Sequence, residues 1–122
     1  MKNIKKKVVA EIENRNLSSH MNQTKWNVIL PQLKPLEAEV NLKWLFSESE
    51  TGWSKSYLIP TEGYLEVTRL GPISFREIEW VELKSNDNEK LSNALKSNNI
   101  PHSYENGVFK IWGYSSHGVD FV

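Results

Sequence analysis

Three histidines and one pair of glutamates are the residues here with the strongest claim to chemistry. His20, His102 and His117 stand in three separate segments. A metal site built on one helix or one zinc turn needs ligands a few residues apart. None of the three has such a companion, so the sequence predicts solvated loop histidines and no metal centre. Glu77 and Glu79 alternate within a strand-like run and would share a face about 7 Å apart. Paired carboxylates at comparable separations perform acid and base catalysis. The commoner use of such charges is at a sheet edge, where they discourage pairing with another chain, and that reading is adopted. There is no cysteine, which removes thiolate catalysis, disulfides and cysteine metal sites. There is also no glycine-rich phosphate loop and no nucleophile elbow. The sequence therefore predicts no catalytic residue and no cofactor.

Binding chemistry is better represented. Trp53 lies in a polar loop between Glu48, Glu50 and Lys55, where a core role is less obvious than for the other tryptophans. Tryptophan is enriched at interface hot spots, although it can also fold back over a sheet edge. The chain of 122 residues has no formal net charge, but the balance is uneven. Residues 1–10 hold Lys2, Lys5, Lys6 and Lys7 and no acid, while residues 37–82 hold nine acids against four bases, a net charge of −5. An acidic centre does not suit phosphate neutralisation, so nucleic acid is not the expected partner. Trp44 and Trp112 sit in patterns that suit a core, without interleaved basic residues. The acidic centre suits a basic protein surface or simple solubility. The candidate partner-binding set is Glu48, Glu50 and Trp53 in the loop, with Glu77, Glu79 and Glu82 on a following strand.

The elements that must position these residues follow from periodicity. Ile4, Val8 and Ile12 recur at helical spacing, and the span 4–15 reads as a helix whose basic first turn opposes its dipole and frays. Asn22-Gln23-Thr24-Lys25-Trp26 opens a second helix near 19–34, with Trp26, Ile29, Leu30 and Leu33 inward. Pro31 predicts a kink or early stop there. Ala38, Val40, Leu42, Trp44 and Phe46 alternate with more polar residues, giving a half-buried strand over 38–46. A polar loop with Gly52 follows at 47–54. Strands are expected at 56–59 and 64–70, joined by the turn 60–63, with Gly71-Pro72 as a breaker. A fourth strand spans 74–83, with both faces mixed. A helix starts after Ser85–Asn88 and carries Leu91, Ala94 and Leu95 on one stripe. Asn98, Asn99 and Pro101 end it. Val108–Tyr114 forms a strand entered through Glu105-Asn106-Gly107, His102–Tyr104 could pair with it, and Val119–Val122 reads as a last short strand.

Short turns between strands favour antiparallel pairing. The fold class is α+β: one domain over 1–122, an antiparallel sheet of about five strands, and helices mainly on one face. The start is too quickly interrupted by Glu11 and Glu13 for a signal peptide. No run approaches a membrane span of roughly 20 apolar residues, and a cytoplasmic location is expected. Asn16-Leu17-Ser18 and Asn22-Gln23-Thr24 match the glycosylation pattern, which carries no meaning without secretion.

The ordered set Asn22–Trp26, Ile78-Glu79-Trp80-Val81-Glu82, Gly107-Val108-Phe109 and Gly113-Tyr114 resembles an uncharacterised family of small bacterial proteins over about residues 14–122. In that family an aromatic-rich strand usually stands where this chain has Ser56-Tyr57-Leu58-Ile59. The resemblance implies a fold but no activity. In size, style and acidity such proteins also look like immunity proteins of toxin–immunity pairs. The function expected is accordingly a non-enzymatic immunity protein that binds and neutralises a cognate bacterial toxin of the contact-dependent growth inhibition type, a basic nuclease being the class its acidity suits. The alternative is a housekeeping domain with an unknown small ligand or protein partner.

Overall fold

The computed structural model describes residues 4–33, 35–47, 49–55, 59–61, 64–67, 71–116 and 118–122; the side chains of Ile4 and of residues 54–72 lie outside the description. The elements run α1 (Ile4–Arg15), β1 (Ser18–Ser19), α2 (Gln23–Leu33), β2 (Glu39–Trp44), β3 (Ser54–Lys55), β4 (Ile59–Thr61), β5 (Tyr64–Val67), β6 (Gly71–Ser74), a 3₁₀ turn (Phe75–Glu77), β7 (Ile78–Lys84), α3 (Asn88–Ser97), β8 (His102–Glu105), β9 (Val108–Trp112) and β10 (Tyr114–Ser115). The central sheet has five antiparallel strands in the order β3-β2-β7-β9-β8. A three-stranded sheet, β4-β5-β6, and the pair β1-β10 complete the α+β architecture.

The helices end by the same device. Leu17, Ala38 and Ile100 each donate a backbone N–H to the carbonyl five residues back, on Ile12, Leu33 and Leu95. The residue before each, Asn16, Glu37 and Asn99, holds φ between 50° and 54°. This is the left-handed cap that satisfies orphan carbonyls at a helix end. Asparagine tolerates that conformation better than most side chains, which explains why asparagines follow α1 and α3. In all three cases the bonded residues are apolar and packed in or against a buried cluster. Pro31 lies inside α2, which runs two residues beyond it. Having no N–H, Pro31 cannot bond the carbonyl of Asn27 four residues back, and the helix ends within a turn of that lost bond.

One face of the sheet carries Val40, Leu42, Val81, Leu83, Phe109 and Ile111 against Trp26, Ile29, Leu30 and Leu33 of α2 and Leu91 and Leu95 of α3. A second, smaller cluster joins Val8 and Ile12 of α1 to Leu45, Phe46 and Tyr114. The alternation expected over 38–46 holds to Leu42 and then breaks. Leu45 is buried, while Trp44 and Phe46 are half-buried. The cause is a bulge: Lys43 faces Trp80 but Trp44 faces Ile78, so Glu79 is an extra residue in β7. Bulges bend a strand and re-aim its side chains. Here the bulge keeps Ile78 in the core together with Val81 and Leu83.

Four expected boundaries are corrected. The strand over 74–83 is interrupted, because Ser74 and Glu77 form a capping box that winds residues 75–77 into a turn. The motif Ser-x-x-Glu is a helix-start signal that outweighs the β-rich composition there. Gly71-Pro72 does not break the chain but opens β6, an edge strand, where a residue without an N–H is tolerated. Pro60 and Thr61, assigned to a turn, belong to β4; residues 56–58 of the strand expected before it lie outside the described residues. Val119–Val122 is not a strand, although Val122 N–H bonds the His102 carbonyl at 2.8 Å.

Candidate functional site

Strand alternation sends Asn41, Lys43, Trp80, Glu82, Lys110 and Trp112 to the face opposite α2 and α3. All but Lys43, which pairs with Glu79, form one polar and aromatic network. Lys110 Nζ lies 4.0 Å from the centre of the Trp80 ring and 4.4 Å from that of Trp112, a cation–π geometry. It also stands 3.8 Å from Glu82. The Trp112 indole donates to Ser103 Oγ at 3.0 Å. Asn41, 2% exposed, donates its amide to Glu82 at 2.8 Å and to Glu50 at 2.6 Å, and accepts from Gly52 N–H at 2.9 Å. The loop after β2 is further tied by Thr51 N–H to the Leu42 carbonyl and by Leu42 N–H to Thr51 Oγ1.

This network corrects two expectations. Trp112 is not a core residue, and a lysine is interleaved between it and Trp80. The signal was Lys110 and Trp112 two apart in β9, on the face opposite Phe109 and Ile111. Lys110 faces Glu82, so its charge is answered within the protein.

The six candidate partner-binding residues separate. Glu48 lies outside the described residues. Glu50 is exposed and hydrogen-bonded to Asn41. Trp53 is 39% exposed, with Lys84 Nζ 4.1 Å from its ring centre. Glu82 is half-buried in the network. Glu77 and Glu79 do not belong to this surface. β7 is the middle strand of the sheet, so they are not an edge-strand pair. Glu77 is in the 3₁₀ turn and buried, accepting from the Trp44 indole at 3.2 Å and from Ser74 N–H at 3.2 Å. Glu79, the bulge residue, is 8% exposed and pairs with Lys43 at 2.7 Å and Arg15 at 2.8 Å. A buried carboxylate persists only when paired in this way. Part of the acidity of residues 37–82 is therefore internal.

The histidines also differ from expectation. His102 is not a loop residue: it lies in β8, 1% exposed, with Nδ1 donating to the Ile100 carbonyl at 2.8 Å. Its Nε2 is buried without a hydrogen-bond partner among the described residues. His20 is half-buried; its Nε2 is 2.6 Å from Ser115 Oγ, and Phe121 meets the ring edge-on at 5.0 Å. Burial holds its pKa below the usual 6.5. His117 lies outside the described residues. Among the described residues no three of His, Asp or Glu converge on a point that could hold a metal ion.

A cleft of about 240 Å³ opens where α2 begins, lined by residues of β1, the 3₁₀ turn and the segment Gly113-Tyr114. It brings together residues from Asn22–Trp26 and from Gly113-Tyr114, which are about ninety positions apart in the sequence. Gly113 is required here. A side-chain carbon at this position would collide with the Ile78 carbonyl oxygen. The close approach lets Gly113 N–H bond the Glu79 carbonyl at 2.7 Å while its own carbonyl accepts from His20 N–H at 2.9 Å. The Tyr114 hydroxyl donates to the Arg76 carbonyl at 2.8 Å, and burial raises its pKa against the opposing effect of the Arg76 charge. Sequence reasoning missed this cleft because its walls come from five separate elements, β1, α2, β6, the 3₁₀ turn and β10.

A family model matches residues 8–118. The chain belongs to DUF6678, a family of unknown function. The match covers every element that lines the DUF6678 cleft and the whole five-stranded sheet. No curated protein and no solved structure matches the chain. No helix among the described residues is long and apolar enough to cross a membrane.

Proposed function

We propose that this member of DUF6678 is a non-catalytic cytoplasmic immunity protein of bacteria that captures a cognate toxin domain. The interface is the polar sheet face and the loop bound to its edge. The observation that carries the reading is Trp53. A large ring left 39% exposed adds little to the core, and it stands directly after a stretch tied to β2 by Thr51 and Gly52. An aromatic anchor on a pre-ordered loop costs little entropy on binding. Glu50, exposed beside it, supplies attraction toward a basic surface.

The test is co-expression with the product of the adjacent gene. Cells should survive the toxin with this protein and die without it. Glu50→Lys should slow association, with the effect masked by salt. Trp53→Ala should speed dissociation, because truncating a desolvated anchor typically costs about 2 kcal/mol or more. A harmless neighbouring product overturns the immunity reading; unchanged binding of both variants overturns this interface.

A further inference from the structure

The geometry points to a second site, independent of toxin binding: the cleft at the start of α2 receives a small organic anion, a carboxylate or phosphate group carried on a flat apolar body. Three features converge. First, the volume is about 240 Å³, whereas a cavity of about 150 Å³ already accommodates benzene. One ring and its charged group therefore fit. Second, the cleft is apolar at its base and cationic at its rim. Trp26, Phe75 and Tyr114 line it and are almost wholly buried, giving a floor for a planar group. Arg76 is exposed at the rim. Its neighbour Glu77 spends its carboxylate on Trp44 and Ser74, and no acidic residue lines the cleft. A guanidinium without a carboxylate partner among the described residues is suited to a bidentate bond with a carboxylate or phosphate. Third, Asn22 Oδ1 takes the N–H of Lys25, at the third helical position. The N–H of Gln23, a residue that lines the cleft, is at a position that has no acceptor within a helix. It adds a donor and the positive end of the dipole to the same opening.

The ligand thus has its ring against the aromatic floor and its anionic group between Arg76 and the first turn of α2. The test is an amide and indole NMR titration of the full chain at millimolar concentrations of phenyl phosphate, benzoate and benzyl alcohol. Either anion should shift Gln23, Gly113 and the Trp26 indole in a saturable way, and the tighter of the two names the headgroup. Benzyl alcohol, which lacks the charge, should leave them in place. Arg76→Gln should weaken binding about tenfold or more, by loss of a charge-assisted bond. Gln23→Glu gives a second variant in which folding and binding diverge. A carboxylate in the first turn favours the helix, so melting should be unchanged or higher while anion binding falls about tenfold. Absence of saturable shifts with both anions, equal binding of benzyl alcohol, or full affinity in both variants would overturn the site.

Discussion

Glu79 shows how one residue is removed from a surface by its backbone. As the extra residue of a bulge, its carboxylate lies between Lys43 and Arg15 and joins β2, β7 and α1. Replacing it with glutamine leaves two cations facing a neutral amide in a largely dry setting. Removing one partner of a buried pair costs about 3–5 kcal/mol. Arg15 is one-third exposed and can turn to water, so Glu79→Gln should cost about 3 kcal/mol, near the lower end of that range. Urea denaturation measures the loss. The double variant Lys43→Met with Glu79→Leu should recover most of it, because an apolar pair needs no counter-charge. A double variant no more stable than the single one would show that the contact is not electrostatic. Nothing in Ile78-Glu79-Trp80-Val81-Glu82 announces this role. Both faces of the run are mixed in the sequence, and the bulge is defined only by the pairing with β2.

Among the elements, those whose signals are local were legible. The alternation at 38–42, the apolar stripe of α3 and the Asn106-Gly107 turn between β8 and β9, with φ of 53° and 81°, all depend on neighbouring residues. The pair β1-β10 and the turn at 75–77 were not foreseen. The first joins two-residue segments distant in sequence, and the second is a cap hidden in a β-rich stretch. Among the candidate residues, the exposure of Trp53 and Glu50 could be read from loop composition, whereas the burial of Glu77 and Glu79 could not. The helix ends give a direct test. Asn99 holds φ of 54° after α3. Asn99→Ala should destabilise by about 1 kcal/mol, the strain of a side chain in the left-handed region. Asn99→Gly should be neutral or slightly stabilising. Thermal melts of the two variants should therefore move apart; equal melting temperatures would mean that the cap is not energetically limiting.

At the scale of the whole molecule, residues 18–20 and 113–115 tie the entry to α2 to the far end of the chain. His20 is at the centre of that junction, bonded through its backbone to Gly113 and through its ring to Ser115, with Phe121 against its edge. Burial places its folded pKa below 6.5, so the unfolded chain takes up a proton at a higher pH than the folded one. Stability rises with pH wherever the unfolded state binds more protons. The contribution is complete above pH 6.5 and is lost as pH falls through the lower folded value. The ring bond to Ser115 survives protonation, since both ring nitrogens of the charged form donate and the serine oxygen can accept; what is lost is the comfort of a neutral ring in a partly dry site. Melting temperature should therefore fall on acidification from pH 6.5, before ordinary carboxylates titrate near pH 4. His20→Asn should flatten that part of the curve while lowering the plateau above it through lost contact with Phe121. A parallel NMR titration of the His20 ring should give a midpoint below 6.5. A midpoint above that value, or an unchanged slope in His20→Asn, would remove His20 as the group that couples this junction to pH.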